Sequence, residues 1–311
     1  MGEEQKRSGD LGEKIVYSIL QKIGWSSPSR NFDIPCHNQE KHRLKKNDRK
    51  SHGIDFLTHL HNPLITDVQD TVVISSKYRG KYGVSINTQL KDFIRDIAPA
   101  IECLKKNKDH KVNFGNKVKR TNYAGVIFWL SRNDDDVNRG VIEEVRDLRD
   151  RNNFKYDSIY LVDNKRTNFL LGSIAFAKSL IVGGSVEFLY PNTSLNVPGL
   201  NGRHTSGSIL PLQFINSSIL PFRITDGNRK ILVITVIDNF VEDELLRIIG
   251  LAQNLTNDWA NETIIAFPDY RQYEHEIQVN RSKSRFIGSE LIRNLSVRSY
   301  SFGNFRTLEE E

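Results

Sequence analysis

Residues 51–77 read SHGIDFLTHLHNPLITDVQDTVVISSK, two apolar runs at 53–60 and 71–78 on either side of a polar turn. Each run has the length and composition of a β-strand. Side chains alternate across a strand with period two. On the second strand Thr71, Val73, Ser75 and Lys77 therefore share one face, and Val72, Ile74, Ser76 and Tyr78 share the other. The first strand carries one carboxylate in an otherwise apolar run, Asp55 between Ile54 and Phe56. An Asp inside a strand is unfavourable unless it is paired or liganded, and Lys77 on the neighbouring strand is its natural partner.

Helical patterns flank this pair of strands. Upstream, Leu11, Ile15, Val16, Ile19, Leu20 and Ile23 form a stripe at helical spacing over 8–24. Ser8 or Asp10 can cap its start and Gly24 its end. Glu13, directly after Gly12, falls near the edge of that stripe. Downstream, Ile86, Leu90, Phe93, Ile94, Ile97, Ile101 and Leu104 predict a helix over 85–107, which Pro99 should kink or divide. Gln89 lies in its first turn, four residues before Phe93.

The order Gly12-Glu13 on a helix, Asp55 on a strand, a strand ending at Ser75-x-Lys77, and Gln89 ahead of Phe93 resembles the PD-(D/E)XK nuclease superfamily, over residues 8–131. One position departs from the pattern: where that family has Asp or Glu two residues before the Lys, this chain has Ser75. The resemblance implies a restriction-endonuclease-like core, a mixed central sheet flanked by helices. It implies a phosphodiester hydrolase, a Mg²⁺- or Mn²⁺-dependent deoxyribonuclease, with Glu13, Asp55, Ser75, Lys77 and Gln89 as its catalytic set. Asp55, the backbone at Ser76 and Glu13 would hold the metal, and Lys77 would orient water or offset transition-state charge. DNA as substrate and a place in prokaryotic restriction or anti-phage defence are what the resemblance implies; a homo-oligomer or a hetero-complex with a partner defence protein is compatible with it. Ser75 offers only a neutral oxygen. That keeps a second implication open: a catalytically inactive nuclease-fold subunit that binds DNA or a partner protein.

Charge distribution bears on the same question. The chain has 311 residues, 44 basic against 38 acidic, for a net charge of +6. Such an excess points to a polyanion only where it is clustered. It is clustered twice. Lys41, Arg43, Lys45, Lys46, Arg49 and Lys50 precede the Asp55 strand against a single acid, Asp48. Lys105, Lys106, Lys108, Lys111, Lys117, Lys119 and Arg120 run from the end of the second helix onward. Both are expected to flank the site and bind phosphate without reading sequence.

The remaining features are blander. Cys36 and Cys103 show no metal spacing and no disulfide framework, which suits a reducing, cytoplasmic setting. His37, His42 and His52 read as loop residues, and His59 and His61 as solvated or hydrogen-bonded. No signal-peptide pattern and no membrane-length apolar run is visible. Residues 122–132 and 158–162 read as strands, 140–153 and 167–180 as helices, and Asp134, Asp135 and Asp136 as a solvated turn. A stretch rich in Pro, Gly, Asn and Ser at 190–208 predicts a linker, with a nuclease-like domain over 1–190 and a smaller α/β domain over 208–311. No Walker loop, nucleophile elbow or zinc spacing occurs in the second half, so the sequence assigns it no chemistry.

Overall fold

The hairpin forms where the alternation places it. In the computed structural model, which describes residues 3–43, 48–110, 118–149, 153–197, 203–256, 259–286 and 288–309, β1 runs Ser29–Pro35, β2 Ser51–His61 and β3 Val68–Arg79. β2 and β3 pair antiparallel from Phe56 opposite Ile74 to His61 opposite Gln69. Val73 joins the core under one face, while Ser76 and Tyr78 lie against Gly12 on the other, as period two requires.

The chain divides into two compact units, Met1–Thr167 with Phe305–Glu311, and Asn168–Asn304. In the first unit five strands run in the order β1-β2-β3-β4-β5, with β4 at Arg120–Ser131 and β5 at Ser158–Val162. The first three are antiparallel; β3, β4 and β5 are parallel. Parallel neighbours need a covering crossover element. That element is α2 (Ile86–Lys106), whose Leu90, Ile97, Ile101 and Leu104 bury against Leu57, Val73, Ile127 and Trp129. Pro99 lies within this helix without dividing it into two elements. α1 (Glu3–Lys22) covers the opposite face, with Ile15, Val16, Ile19 and Leu20 fully buried and Tyr17 stacked on Phe56. The closing 3-10 turn Phe305–Glu309 returns to this unit: the Tyr78 hydroxyl donates to Glu309, and Lys14 Nζ donates to the Glu309 carbonyl.

Two expectations fail here. The helix expected over 140–153 is, within the described residues, only a 3-10 turn at Glu143–Val145. Its leading amides, Val141 and Ile142, donate to Asp163 Oδ2 at 2.7 and 3.1 Å. The acidic turn is not wholly solvated either. Asp136 is buried and accepts from Ser131 Oγ at 2.6 Å and from the Tyr82 amide at 3.1 Å.

α3 is one turn at Lys108–His110, and α4 spans Asn164–Ser179. The second unit holds a six-stranded mixed sheet, β11-β10-β9-β8-β6-β7. Its strands are β6 (Ser185–Leu189), β7 (Ser206–Gly207), β8 (Ile219–Asp226), β9 (Arg229–Val236), β10 (Glu262–Phe267) and β11 (Leu295–Ser299). α5 (Glu242–Thr256) packs Leu245, Ile248 and Ile249 with Leu232, Ile234 and Val236; α6 (Gln272–Ser284) and α7 (Glu290–Arg293) follow. The 190–208 stretch expected to be a linker lies inside this unit, where β6 and β7 pair across it. Both sheets are mixed and flanked by helices, which is the α/β class expected from the sequence.

Candidate active site

Asp55 sits where the β2–β3 ladder gives out. Past the Phe56–Ile74 pair, the Ser76 amide donates to Asp55 Oδ2 at 2.6 Å, and Ser75 Oγ donates to the same oxygen at 3.4 Å. A side chain has thus taken the place of a strand partner, and the two strands part around a carboxylate. The neighbouring strand bends at the same level: Asn31, between the residues paired with Phe56 and Ile54, has φ +49°, a left-handed conformation that Asn tolerates better than most residues.

Glu13 approaches from the α1 side, and Gly12 is what lets it. A Cβ at Gly12 would overlap the Tyr78 Cβ and stand 3.1 Å from Ser76 Oγ, so only glycine allows α1 to lie this close to β3. The Glu13 carboxyl is pushed above its ordinary range by burial and then by the charge of Asp55. Asp55 is also pushed up, chiefly by burial; the Ser76 hydrogen bond and the Lys77 charge oppose the shift, and the Asp96 charge adds to it.

Lys77 shares the α2 side of the sheet with Ser75, as expected, but its partner is not Asp55. Its Nζ donates to Asp96 Oδ2 at 3.1 Å and lies 5.6 Å from the centre of the Phe93 ring. Arg49 takes the other oxygen of Asp96 at 3.2 Å. Burial works against the Asp96 charge, but Lys77 and Arg49 outweigh it and hold the carboxyl below its ordinary range. Asp96 was not singled out from the sequence. The available signal was an acid three residues after Phe93, beside the buried stripe of a helix packed on the Lys77 face.

The other expected residues distribute unevenly. Gln89 is one turn before Phe93, its amide packed against Gly83, and no hydrogen bond joins its side chain to Asp55, Ser75 or Lys77 among the described residues. Ser76 engages Asp55 through its amide. In the first basic cluster, Arg49 reaches the site, while Lys41 pairs with Glu102 at 2.8 Å and Arg43 with Asp48 at 2.6 Å. Lys50 is exposed, and Lys45 and Lys46 lie outside the described residues.

The second cluster does not flank the site. Arg120 is registered with Val68 and Trp129 with Lys77, so nine residues of strand, about 30 Å at ~3.3 Å per residue, separate Arg120 from Lys77. Lys119 pairs with Asp67 at that far end, and Lys105 pairs with Asp157 at 3.1 Å. Lys106 faces Glu102 at 4.0 Å, and Lys117 lies outside the described residues. The reason is topological: α2 returns antiparallel to β3, and everything that follows it in sequence starts at the opposite end of the sheet.

A mixed sheet with a helix on each face, an Asp where one strand parts from the next, a Lys on that next strand and a helix Glu beside them define the PD-(D/E)XK nuclease class. A family model described as the GAPS4 protein PD-(D/E)XK nuclease domain matches residues 1–166, more than half of the chain. The chain belongs to that family. No curated protein and no solved structure matches it. Among the described residues, no helix is long and apolar enough to cross a membrane.

Proposed function

We propose that this chain is a divalent-metal-dependent nuclease that hydrolyses phosphodiester bonds in DNA at the carboxylate cluster around Asp55. The observation that carries this reading is the pairing of Asp55 with the parted strands of the β2–β3 hairpin, within the field of Glu13, Asp96 and Lys77. Two of these carboxyls are held above their ordinary range, chiefly by burial and secondarily by a neighbouring carboxylate, so their charged forms lack the compensation that a cation would supply. The donors are all hard oxygens, the set that suits Mg²⁺ or Mn²⁺. When bound there, such an ion supplies charge neutralisation on the phosphate and a more acidic water. Asp55 and Glu13 would hold it, and Ser75 and Ser76 orient Asp55. Lys77, tethered by Asp96, would offset charge on a scissile phosphate, and Arg49 and Lys50 would hold the DNA backbone. A role in prokaryotic restriction or anti-phage defence, with a partner protein or a second copy of the chain, belongs to the same proposal.

A second reading has an observation of its own. Ser75 supplies no carboxylate, and Lys77 is ion-paired to Asp96, which fits a nuclease-fold subunit that binds DNA without cutting it. Plasmid and linear DNA incubated with purified protein in Mg²⁺ or Mn²⁺ separate the two. Cleavage abolished by Asp55→Ala and Lys77→Ala supports the nuclease. DNA binding without cleavage by the parent supports the subunit. Cleavage by Asp55→Ala equal to the parent's sinks the assignment of the site.

A further inference from the structure

Three side chains from residues 36–52 and a fourth from α2 meet on the α2 side of the first unit. Cys36 follows β1, His42 lies in the next turn, His52 is the second residue of β2, and Cys103 is near the end of α2. One ligand atom from each lies within 4.8 Å of all the others. Cys36 Sγ is 3.3 Å and Cys103 Sγ 3.4 Å from His42 Nδ1. A tetrahedral zinc site with Zn–S of about 2.3 Å and Zn–N of about 2.0–2.1 Å has S···N edges of about 3.5 Å, which these distances approach.

Burial adds an independent argument. His52 is fully buried, and neither of its ring nitrogens has a hydrogen-bond partner. Leaving a buried polar atom unsatisfied is costly, and a ring that faces two thiols and a second imidazole without a hydrogen bond has the surroundings of a ligand. His42 is also buried, and its Nε2 lies 3.3 Å from Glu102 Oε2, which in turn binds Lys41 Nζ at 2.8 Å. A carboxylate on the far nitrogen fixes the tautomer that presents Nδ1 to a metal. The His37 amide donates to Cys103 Sγ at 3.4 Å, a contact that stabilises a thiolate.

We propose that Cys36, His42, His52 and Cys103 bind one Zn²⁺ ion as a structural site, separate from the carboxylate cluster at Asp55. Two thiolates and two neutral imidazoles balance the charge of the ion, and sulfur ligands select zinc over the hard cation suited to Asp55. The ion ties the segment between β1 and β2 to α2. That segment carries Arg49, which reaches Asp96, so the site anchors one wall of the candidate active site. Sequence reading missed it because the ligands come from a loop, a strand and a helix and show none of the short spacings of a zinc finger.

The test is metal analysis of the full chain, expressed with zinc in the medium and purified under reducing conditions without chelator. One zinc per chain is expected, retained in Asp55→Ala and lost in the Cys36→Ser/Cys103→Ser double variant and in His52→Ala. Glu102→Gln should keep the ion with affinity lower by about 10–100-fold. Should the cysteine variants fold poorly, Co²⁺ titrated into the zinc-stripped parent gives the same information. Thiolate-to-cobalt charge-transfer and tetrahedral visible bands should saturate at one equivalent and vanish on adding zinc. Zinc only at trace level with no charge-transfer band overturns the proposal. So do zinc content unchanged in the double variant and a Cys36–Cys103 disulfide in place of metal.

Discussion

Asp55, Glu13 and Asp96 are three carboxylates whose environments push them in different directions, and their titration is where the chemistry is most open to measurement. The folded pKa values of Asp55 and Glu13 are raised, so the folded state binds protons more readily than the unfolded chain. The metal-free fold therefore gains stability as pH falls from the raised folded values toward the ordinary carboxylate range. A divalent ion competes with those same protons, so its affinity should fall over that same window, as isothermal titration of Mn²⁺ at several pH values would show. By the same sign, Asp55→Asn should abolish cleavage yet raise the Tm of the metal-free protein at neutral pH. Asp96 is the opposite case. Its folded value is lowered, so its contribution is present above the ordinary carboxylate pKa and is lost as pH falls through the lowered one. Asp96→Asn should remove that acid-sensitive part, cost about 0.2–1 kcal/mol at neutral pH for a partly exposed pair, and reduce cleavage by releasing Lys77; urea titrations at neutral and acid pH measure the first two. Ser75→Asp places a carboxylate beside Asp55, on a backbone position whose hydroxyl is already 3.4 Å from it, and should lower the Mg²⁺ concentration needed for half-maximal cleavage.

At the scale of elements, α1 and α2 each deliver one part of the site. α1 does so by lying close to β3 at Gly12. Gly12→Val would force the helix off Tyr78 and Ser76 and carry Glu13 with it; DNA cleavage should fall even at saturating Mg²⁺, with far-UV circular dichroism unchanged. α2 carries Asp96 at its middle and Lys105 nine residues later, about 14 Å along the axis at ~1.5 Å per residue. The two basic clusters are therefore not equivalent. Reversing Lys50 and Arg49 should weaken DNA binding and reduce the slope of log K against log salt by roughly one to two, since each phosphate contact releases about one counterion. Reversing Lys119 and Arg120, at the far end of the sheet, should leave that slope as it is. Equal effects in a salt titration would return the second cluster to the interface.

On the scale of the whole molecule, the family match ends at residue 166, but the first unit also claims Phe305–Glu311. Phe305 and Leu308 are buried there, and Glu309 receives the Tyr78 hydroxyl on the strand that carries Lys77. A fragment of residues 1–167 should thus be less stable than the intact chain's first unit, and a version with 305–311 fused back through a flexible linker should recover part of the loss. Chemical denaturation of the two fragments, followed by Trp25 and Trp129 fluorescence, measures this; equal midpoints would show that the closing turn contributes nothing.

The period-two pattern of 71–78 put Ser75 and Lys77 on one face and Ser76 and Tyr78 on the other, and the helical stripes at 8–24 and 85–107 marked the two covering helices. Those features were legible because hydrophobic periodicity is local: each residue's face follows from its neighbours along the chain. The order of Glu13, Asp55, Lys77 and Gln89 on those elements then carried the resemblance to the family. Pairing was not local. Which acid holds Lys77 depends on the angle at which α2 crosses β3, and Asp96 rather than Asp55 lies there. Whether two basic runs share a surface depends on which end of the sheet each element enters, and a run of lysines carries no record of that. Whether two cysteines and two histidines form a set depends on a loop, a strand and a helix converging, which only the packed core decides.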